Sequence, residues 1–216
     1  MVDERIEAGQ TVERLLLNEQ GGDMLFRQQK GSTLRLFLFT WDEQTGQSAH
    51  TVTVEQEGEN CLTEIYALSY LHGSMRHSLR TNVRHKVGKG VSNQIIRFVL
   101  TDTAVGEYAG EVILSPGAQQ VDARQNNRNL LLSAGATMRT RPCLEIYADD
   151  VKAAHGASLG QLDEQALFYM QQRGLSLGEA REMLVVSFMS ECIAPLSDMA
   201  ERERLMAALH SVIQQG

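Results

Sequence analysis

Cysteine is scarce in this 216-residue chain, and its cysteines form no recognisable chemical motif. Cys61, Cys143 and Cys192 are an odd number of thiols at wide spacing, without a Cys-x-x-Cys pair. Disulfide frameworks and structural zinc sites need paired or closely spaced cysteines, so neither is expected. We therefore expect three free thiols that behave as small apolar side chains.

Long hydrophobic runs and an excess of positive charge are also lacking. The longest apolar stretches, LFLF and MLVVSFM, fall well short of the roughly 20 residues that a membrane-spanning helix needs. The N-terminal sequence MVDERIEAGQ is acidic and polar, unlike a secretory leader. A net charge of −7 argues against nucleic-acid binding, which depends on lysine and arginine. These absences predict a cytoplasmic protein with neither a membrane nor a nucleic-acid partner.

Signatures of nucleotide binding and of nucleophilic catalysis are absent as well. GVSNQ and VGKGVS contain glycine, but the chain has no GxxxxGK[ST] loop to hold phosphates. It has no GxSxG sequence, and no cysteine has the histidine or acidic neighbours of a nucleophile. We therefore expect that the chain does not itself bind ATP.

Short apolar runs bounded by Gly, Asn, Asp or Ser dominate the first 160 residues and predict β-strands. No helical periodicity interrupts them. The runs are TLRLFLF (33–39), HTVTVE (50–55), LTEIYAL (62–68), NQIIRFVL (93–100), GEVIL (110–114), NLLLS (129–133) and CLEIY (143–147). Residues 1–160 are therefore expected to form a mainly β domain.

The turns between these runs repeat at a nearly fixed interval. A glycine stands three residues before an apolar residue in GQTV (9–12), GSTL (31–34), GENC (58–61) and GKGV (88–91). Apolar positions recur at a step of 30 (Cys61, Val91, Val121, Val151) and strand centres at a step of 32 (Tyr66, Phe98, Leu130). Such a period indicates a solenoid, in which each coil buries its apolar face against its neighbours. We predict a parallel β-helix, right-handed by the general rule for parallel crossovers, with a jelly roll or sandwich as the alternative.

Helical patterns replace strand patterns after residue 160. LDEQALFYMQQRG predicts a helix with Asp163 as its N-cap and Gly174 just beyond its C-terminus. LSLGEAREMLVVSFMSECI predicts a second helix, in which Ser176 and Glu179 have the spacing of a capping box. SDMAERERLMAALHSVIQQ predicts a third. Residues 161–216 are therefore expected to form a C-terminal helical domain.

Several linked motifs follow one another from residue 129 onwards: NLLLS, PCLEIYADDVK, HGASLG and LDEQALFYMQQRG. In this order and spacing they resemble the SufB/SufD family of iron–sulfur cluster assembly proteins, and the ADDVK…HG form looks like SufD. Weaker similarity in GEN (58–60) and RTNVRH (80–85) extends the resemblance over nearly the whole chain. The resemblance implies a right-handed parallel β-helix followed by helices, in agreement with the repeat.

The resemblance also implies a non-enzymatic scaffold role. Proteins like SufD pair with a SufB-like paralogue through their β-helices and contact a SufC-like ATPase through their C-terminal helices. The complex builds or holds a nascent iron–sulfur cluster, and ATP hydrolysis rearranges the shared interface. This chain is then expected to bind no cofactor tightly when alone and to share a transient iron–sulfur cluster with its partner, helping iron to enter at the interface.

Two departures from the family pattern affect these expectations. Family members usually carry a helical N-terminal domain, whereas this chain starts directly in the predicted β-helix and is either a naturally short form or a fragment. The usual KCSHG is replaced by KAAHG, so that Ala153 stands at the cysteine position and His155 is retained. A thiolate ligand at position 153 is therefore impossible in this chain.

The stretch ADDVKAAHG (148–156) contains the candidate ligand. Asp149 and Asp150 occupy the turn position of the repeat, and aspartate suits turns because it bonds nearby backbone groups. His155 is either a structural histidine near a strand end or a ligand for iron or a nascent cluster at the SufB-facing interface, since imidazole binds iron well. One imidazole cannot hold a metal alone, so the remaining ligands would come from the partner or from a small molecule.

Two further surfaces have both a structural and a functional interpretation. Residues 65–101 contain no acidic residue, and are either a solvated face or a docking surface for an acidic partner. Apolar residues of the tail are expected mostly in its core and partly in a contact with the SufC-like ATPase, because Met-rich faces adapt to partners. The candidate contact or supporting residues are Leu167, Phe168, Arg173, Met183 and Phe188.

Two alternative functions remain open. A polysaccharide-active β-helix enzyme is disfavoured because only one tryptophan is available for sugar stacking and no secretory signal is visible. A purely structural relative that pairs with its partner but has lost cluster chemistry is favoured by Ala153. In isolation, the exposed ends and edges of a β-helix favour a homodimer.

Overall fold

Twelve strands followed by three helices form the structure, a computed structural model that describes residues 2–41 and 46–215. The strands are β1 (Val2–Ile6), β2 (Thr11–Leu17), β3 (Gly21–Gln28), β4 (Thr33–Thr40), β5 (Gln47–Gln56), β6 (Leu62–Leu71), β7 (Arg76–His85), β8 (Val91–Leu100), β9 (Val105–Leu114), β10 (Val121–Leu131), β11 (Thr137–Ile146) and β12 (Val151–Gly160). The helices are α1 (Glu164–Gln172), α2 (Leu177–Ile193) and α3 (Met199–Gln215). The predicted order, a β body before a helical tail, is confirmed.

The strands alternate between two parallel sheets, so each coil adds one strand to each sheet. Within the described residues, sheet A has the order β1-β3-β5-β7-β9-β11 and sheet B the order β12-β10-β8-β6-β4-β2. Strands that neighbour one another in a sheet are therefore separated in sequence by a strand of the other sheet. This topology confirms the predicted parallel β-solenoid and excludes the alternative of a jelly roll or sandwich.

The coils differ in length, and of the predicted steps of 30 and 32 residues only the step from Val121 to Val151 is a register pair. In sheet B, Thr11 pairs with Thr33, a step of 22, and Thr33 pairs with Leu62, a step of 29. Leu62 pairs with Val91 and Val91 with Asp122, steps of 29 and 31. The solenoid keeps its strands aligned by absorbing these differences in the turns between them.

Side chains that the sequence repeat aligned with one another therefore lie in different environments. Cys61 is 1% exposed, whereas Val91, 30 residues later, is 41% exposed, because Val91 pairs with the residue after Cys61. Phe98 lies in the interior of the solenoid, whereas Tyr66 and Leu130 pack on the outer face of sheet B. The sequence period thus predicts the architecture but not which residues stack.

One turn position adopts the left-handed backbone region in successive coils. Glycine occupies it only twice, and its residues are Gly9 (φ 71°), Gly31 (φ 68°), Asn60 (φ 60°), Lys89 (φ 61°) and Gln120 (φ 61°). Gly58 and Gly88, which mark the turns in the sequence, have another role. A Cβ atom on either would collide with backbone atoms of an adjacent coil, so these glycines permit close approach of the coils.

Sheet B is covered on both faces over much of its area. Its inner face and sheet A enclose one apolar core, which includes Leu36, Ile65 and Phe98. Its outer face carries a second core, in which Phe37 and Tyr66 stack at 5.1 Å beneath α2 and α3. The helical tail is thereby packed along the solenoid.

An ion pair between a buried arginine and an exposed glutamate joins α2 to the outer face of sheet B. Arg97 of β8 is 1% exposed and donates from Nη2 to Glu191 Oε2 at 2.8 Å. Its Nη1 also donates to the carbonyl oxygens of Ile96 and Asn126. The guanidinium is therefore satisfied by one carboxylate and two backbone groups, as a buried cation requires.

The helices begin as the sequence predicts. Asp163 accepts hydrogen bonds from the N–H groups of Gln165 and Ala166 at the start of α1. Ser176 and Glu179 form a complete capping box at the start of α2. These caps satisfy backbone donors that a helix N-terminus leaves unpaired. None of the helices in the described ranges is both long and apolar enough to span a membrane.

Polar side chains form hydrogen bonds between the two sheets inside the solenoid. Gln56 donates to Thr63 Oγ1 at 2.8 Å, and Thr81 donates to Gln94 Oε1 at 2.7 Å. Burial lowers the pKa of His77 to about 3 and that of His85 to about 4. Both histidines are therefore neutral near pH 7 and act as interior hydrogen-bonding groups.

Candidate functional site

His155 lies in the middle of β12, the edge strand of sheet B, and not near a strand end as predicted. It pairs with Gln125 of β10 on one side of the strand. On the other side, no strand among residues 2–41 and 46–215 pairs with β12. The sequence VKAAHGASLG was not predicted as a strand because it is rich in alanine and glycine, which are uncommon in strands.

The alternation of side chains along β12 places His155 on the inward-facing side of the strand. Val151 and Ala153 pack against the interior core, and His155 is the next residue on that face. The register continues from His155 through Gln125 to Gln94, both of which are buried. His155 therefore extends a column of interior polar residues to the open end of the solenoid, where it is exposed.

The two aspartates before β12 form a turn, as interpreted from the sequence. Asp149 and Asp150 are exposed residues of a bend between β11 and β12. The N–H of Asp150 donates to Gln119 Oε1 at 2.9 Å, and its carbonyl accepts from the N–H of Gln120 at 2.5 Å. These backbone contacts hold the turn against the preceding coil.

A single copy of the chain offers little metal-binding chemistry at this edge. Among the residues that the structure describes, no three His, Cys, Asp or Glu side chains come together as a metal site. Within the same part of the chain, the ring of His155 has no hydrogen bond or ion pair. The three cysteines are free, with Cys61 and Cys192 buried and Cys143 half-buried. The edge thus provides one unengaged imidazole.

Large apolar side chains are exposed around this open end of the solenoid. Ile146 ends β11, Tyr147 follows it, and Leu159 lies in β12; all three are exposed. Together with the unpaired edge of β12 they form a surface that we call the terminal edge, consisting of residues 146, 147 and 151–160. An uncovered strand edge with apolar neighbours is a typical site of strand pairing between chains.

The helical tail presents a second apolar surface on α1, in which no residue is buried. Phe168 is 63% exposed and Tyr169 is 58% exposed. The guanidinium of Arg173 stacks over the ring of Tyr169 at 4.5 Å. Tyr169 was not singled out in the sequence, although it belongs to the LFY motif that includes Phe168.

The other predicted contact residues have different positions. Leu167 is half-buried and lines a cleft of about 640 Å³ between the helices and sheet B. Phe188 is half-buried with Arg97 over its ring at 5.6 Å, so it supports α2. Met183 was expected in the apolar stripe of the tail, but it is exposed, and the buried face of α2 contains Val185, Met189 and Cys192 instead.

The basic stretch 65–101 does not form one face. Arg97 is buried in its ion pair, and Lys86 binds Glu55 at 2.9 Å and Glu57 at 3.0 Å. His77 and His85 lie in the interior. Acidic residues of other coils and helices thus neutralise Lys86, Lys89 and Arg97, whereas Arg76 and Arg80 form no ion pair among the described residues.

Comparison with known families identifies the chain. Residues 22–188 match the domain described as "SUF system FeS cluster assembly, SufBD core domain". The chain belongs to the SufBD family. The matched region includes ten of the described strands in whole or in part, from β3 to β12 with His155, together with α1 and most of α2.

Individual SufBD relatives agree with this assignment. The chain is 32% identical over 167 residues to an iron–sulfur cluster assembly SufBD family protein of Synechocystis, which covers 76% of this chain and 37% of the relative. It is 30% identical over 160 residues to the iron–sulfur cluster assembly protein SufD of Escherichia coli, an alignment that covers 74% of this chain and 38% of the relative. It is 35% identical over 156 residues to the chloroplastic protein ABCI7 of Arabidopsis, an alignment that covers 72% of this chain and 33% of the relative. The chain thus spans little more than a third of the length of these relatives.

Proposed function

We propose that this chain is a non-enzymatic scaffold subunit of a SUF-type iron–sulfur cluster assembly complex in the cytoplasm. Its terminal edge pairs with a SufB-like paralogue, and its α1 surface contacts a SufC-like ATPase. Iron or a nascent cluster is the cargo of the complex and is bound between chains. The family of the chain supports a role in iron–sulfur cluster assembly. The terminal edge and the α1 surface, both exposed, support two separate contacts with partner subunits.

The observation that carries the proposal is the unpaired edge of β12 with His155 on it. A strand edge exposes a row of backbone donors and acceptors that another strand can satisfy. His155 lies within this row, at a position where a paired subunit would come close to the ring. An imidazole without an intrachain partner is then available to a ligand at the interface.

The donor set of the chain fits a cluster that is shared between chains and not one held by this chain alone. Neutral imidazole is a suitable ligand for iron, and thiolates are the commonest cluster ligands. Ala153, which lies on the same face as His155, cannot supply a thiolate. His155 would therefore contribute one ligand, and the partner or a small molecule would supply the others.

The ATPase contact is proposed for α1 because its aromatic residues have no intrachain cover. Phe168 and Tyr169 remain exposed although the neighbouring helices bury their own apolar faces. Arg173 holds Tyr169 in place through a cation–π contact. Aromatic and arginine side chains are the residue types that dominate interface energies.

Pairing through the terminal edge is tested by Leu159→Lys. The charge would be desolvated at the interface, so we expect at least a tenfold weaker association with the SufB-like partner, measured by co-purification and by light scattering of the complex. Val91→Lys is the matched control, since Val91 is also an exposed apolar strand residue but lies outside the terminal edge. Equal effects of the two substitutions would contradict the proposed edge.

The ligand role is tested by His155→Ala in the assembled complex. We expect the complex to form but its iron and acid-labile sulfide content after reconstitution to fall severalfold. His155→Cys, which restores a ligand, should recover part of the content. Unchanged iron and sulfide in His155→Ala would favour the alternative that the chain is a structural relative without cluster chemistry.

The ATPase contact is tested by the double change Phe168→Ser and Tyr169→Ser. Each truncation of an aromatic anchor at an interface typically costs about 2 kcal/mol or more, so binding to the SufC-like subunit should weaken by more than tenfold. Pairing with the SufB-like subunit should remain intact. Loss of both contacts would indicate a folding defect, which the melting temperature of the isolated variant would detect.

A further inference from the structure

The outer face of sheet A contains two arginines that face each other across a small residue. In the register of the sheet, Arg80 of β7 pairs with Ala109 of β9, and Ala109 pairs with Arg141 of β11. Paired residues of parallel strands point to the same face, and strands lie about 4.8 Å apart. The Cα atoms of the two arginines are therefore roughly 10 Å apart, with only a methyl group between them.

Neither arginine is engaged within the chain. Arg80 and Arg141 are exposed, and among the described residues neither forms an ion pair or a side-chain hydrogen bond. Two other basic residues of the same sheet face are neutralised, since Arg139 binds Glu107 at 2.6 Å and Arg84 approaches Glu55 at 4.0 Å. Two positive charges thus remain without a partner at neighbouring positions, although the chain as a whole is acidic.

The arginines border two adjoining depressions. The smaller, of about 220 Å³, is lined by Arg80, Ala109 and Arg141 together with Ser78 and the Arg139–Glu107 pair. The larger, of about 410 Å³, shares these first three residues and extends to Glu111 and Cys143. Because Glu107 is paired whereas Glu111 is not, the smaller depression has the more positive surroundings.

We propose that Arg80 and Arg141 form an oxyanion-binding site over Ala109, of a size for a phosphate or for the phosphate group of a small molecule. Guanidinium groups recognise such oxygens through paired N–H donors, and two guanidinium groups can share one anion. The hydroxyl of Ser78 supplies a further donor at the edge of the depression. The site is independent of the terminal edge and of α1.

Inorganic phosphate is the probe for a direct test on the whole chain. Titration at pH 7 is followed by the Nε–Hε NMR signals of arginine, with sodium chloride at matched ionic strength as the reference. We expect saturable shifts of two signals, with dissociation constants on the order of millimolar, as two exposed charge contacts provide. Shifts that grow linearly, or that chloride reproduces, would overturn the proposal.

Substitutions assign the binding to the pair. Arg80→Gln and Arg141→Gln should each weaken phosphate binding by roughly two- to fivefold, and the double variant should remove saturation. Arg76→Gln is the matched control, because Arg76 lies on the same strand, is also exposed and carries the same charge, but does not face Arg141. An effect of Arg76→Gln equal to that of Arg80→Gln would reduce the site to general charge attraction.

A second readout uses the half-buried cysteine of the larger depression. Cys61 and Cys192 are buried, so an anionic disulfide reagent should react first with Cys143, and phosphate should slow this reaction in the wild type but not in the double arginine variant. A hexaglutamate peptide tests whether the two arginines instead bind the carboxylates of an acidic protein. Arginine-dependent binding of the peptide without binding of phosphate would overturn the small-anion site in favour of a protein-docking surface.

Discussion

The two faces of sheet B show how one sheet can support two different cores. The inner face closes a solenoid whose apolar residues are interleaved with glutamine, threonine and histidine. The outer face, under the helices, is built from aromatic and aliphatic side chains and from a buried Arg97 that pairs with Glu191. The interior must satisfy the polar groups of stacked coils, whereas the outer core only has to hold the helical tail in place.

Adjacent residues of β4 allow the two cores to be compared directly. Leu36 points into the solenoid and Phe37 points under the helices, and both are fully buried. Leu36→Ala should lower the free energy of unfolding by about 2–5 kcal/mol, and Phe37→Ala by about 3–5 kcal/mol, because each leaves a cavity. Urea denaturation measures both values.

Hydrogen exchange of these two variants shows whether the cores are separable. We expect Phe37→Ala to increase exchange first in α2 and α3, and Leu36→Ala to increase it in strands of both sheets. The same set of amides becoming labile in both variants would mean that the solenoid and the tail unfold as one unit.

The ion pair under the helices gives the next largest effect. Glu191→Ala leaves the buried Arg97 without its carboxylate, and breaking such a pair costs about 3 kcal/mol. Glu191→Gln keeps a hydrogen-bond acceptor and should cost about 1 kcal/mol. Chemical denaturation, combined with limited proteolysis of the tail, measures the loss of stability in both variants. Equal losses of stability would show that the charge of Glu191 is unimportant.

Acid should destabilise the solenoid interior. Since burial holds the pKa of His77 near 3, well below its unfolded value of 6.5, the unfolded chain binds more protons between these values. Stability is complete above pH 6.5 and falls as the pH drops, by about 2 kcal/mol from this residue between pH 7.5 and pH 5. His77→Gln and His77→Phe should both lose this share of the pH dependence in denaturation experiments, and a retained slope would exclude His77 as its source.

The smallest effect is expected at the capping box of α2. Ser176→Ala removes the acceptor for the Glu179 N–H at the exposed start of the helix and should cost about 1 kcal/mol. Ser187→Ala, at an exposed position within the same helix, should cost less, because alanine favours helix interiors. Thermal unfolding of the two variants makes this comparison.

The sequence predicted best those strands that are buried on both faces. β4, β6 and β8 contain continuous apolar runs because one face meets the interior and the other meets the helices. β7 was indicated only by the family resemblance of RTNVRH and not by an apolar pattern, because several of its inward residues, including His77, Thr81 and His85, are polar. β12 was missed because its alanines and glycines have no strand preference, although the turn before it was interpreted correctly.

The candidate site could be predicted only in part. His155 was chosen through its resemblance to a family pattern, but its place on an open edge follows from strand order, which a local pattern does not contain. The helical period of α2 did not show whether Met183 meets the sheet or the solvent, because a period alone does not reveal which face is buried. Arg80 and Arg141 come together only through the register of β7, β9 and β11, and distant strands cannot be aligned from coils of unequal length.

The short connection between β12 and α1 couples the helical tail closely to the terminal edge. Only residues 161–163 separate the strand with His155 from the helix with Phe168, and the Arg97–Glu191 pair fixes α2 to the middle of the sheet. A force on α1 would therefore be transmitted first to β12, because α2 is held to the sheet by the ion pair. If the proposed contacts hold, force from the ATPase on α1 would reach the terminal edge before it disturbed any other coil.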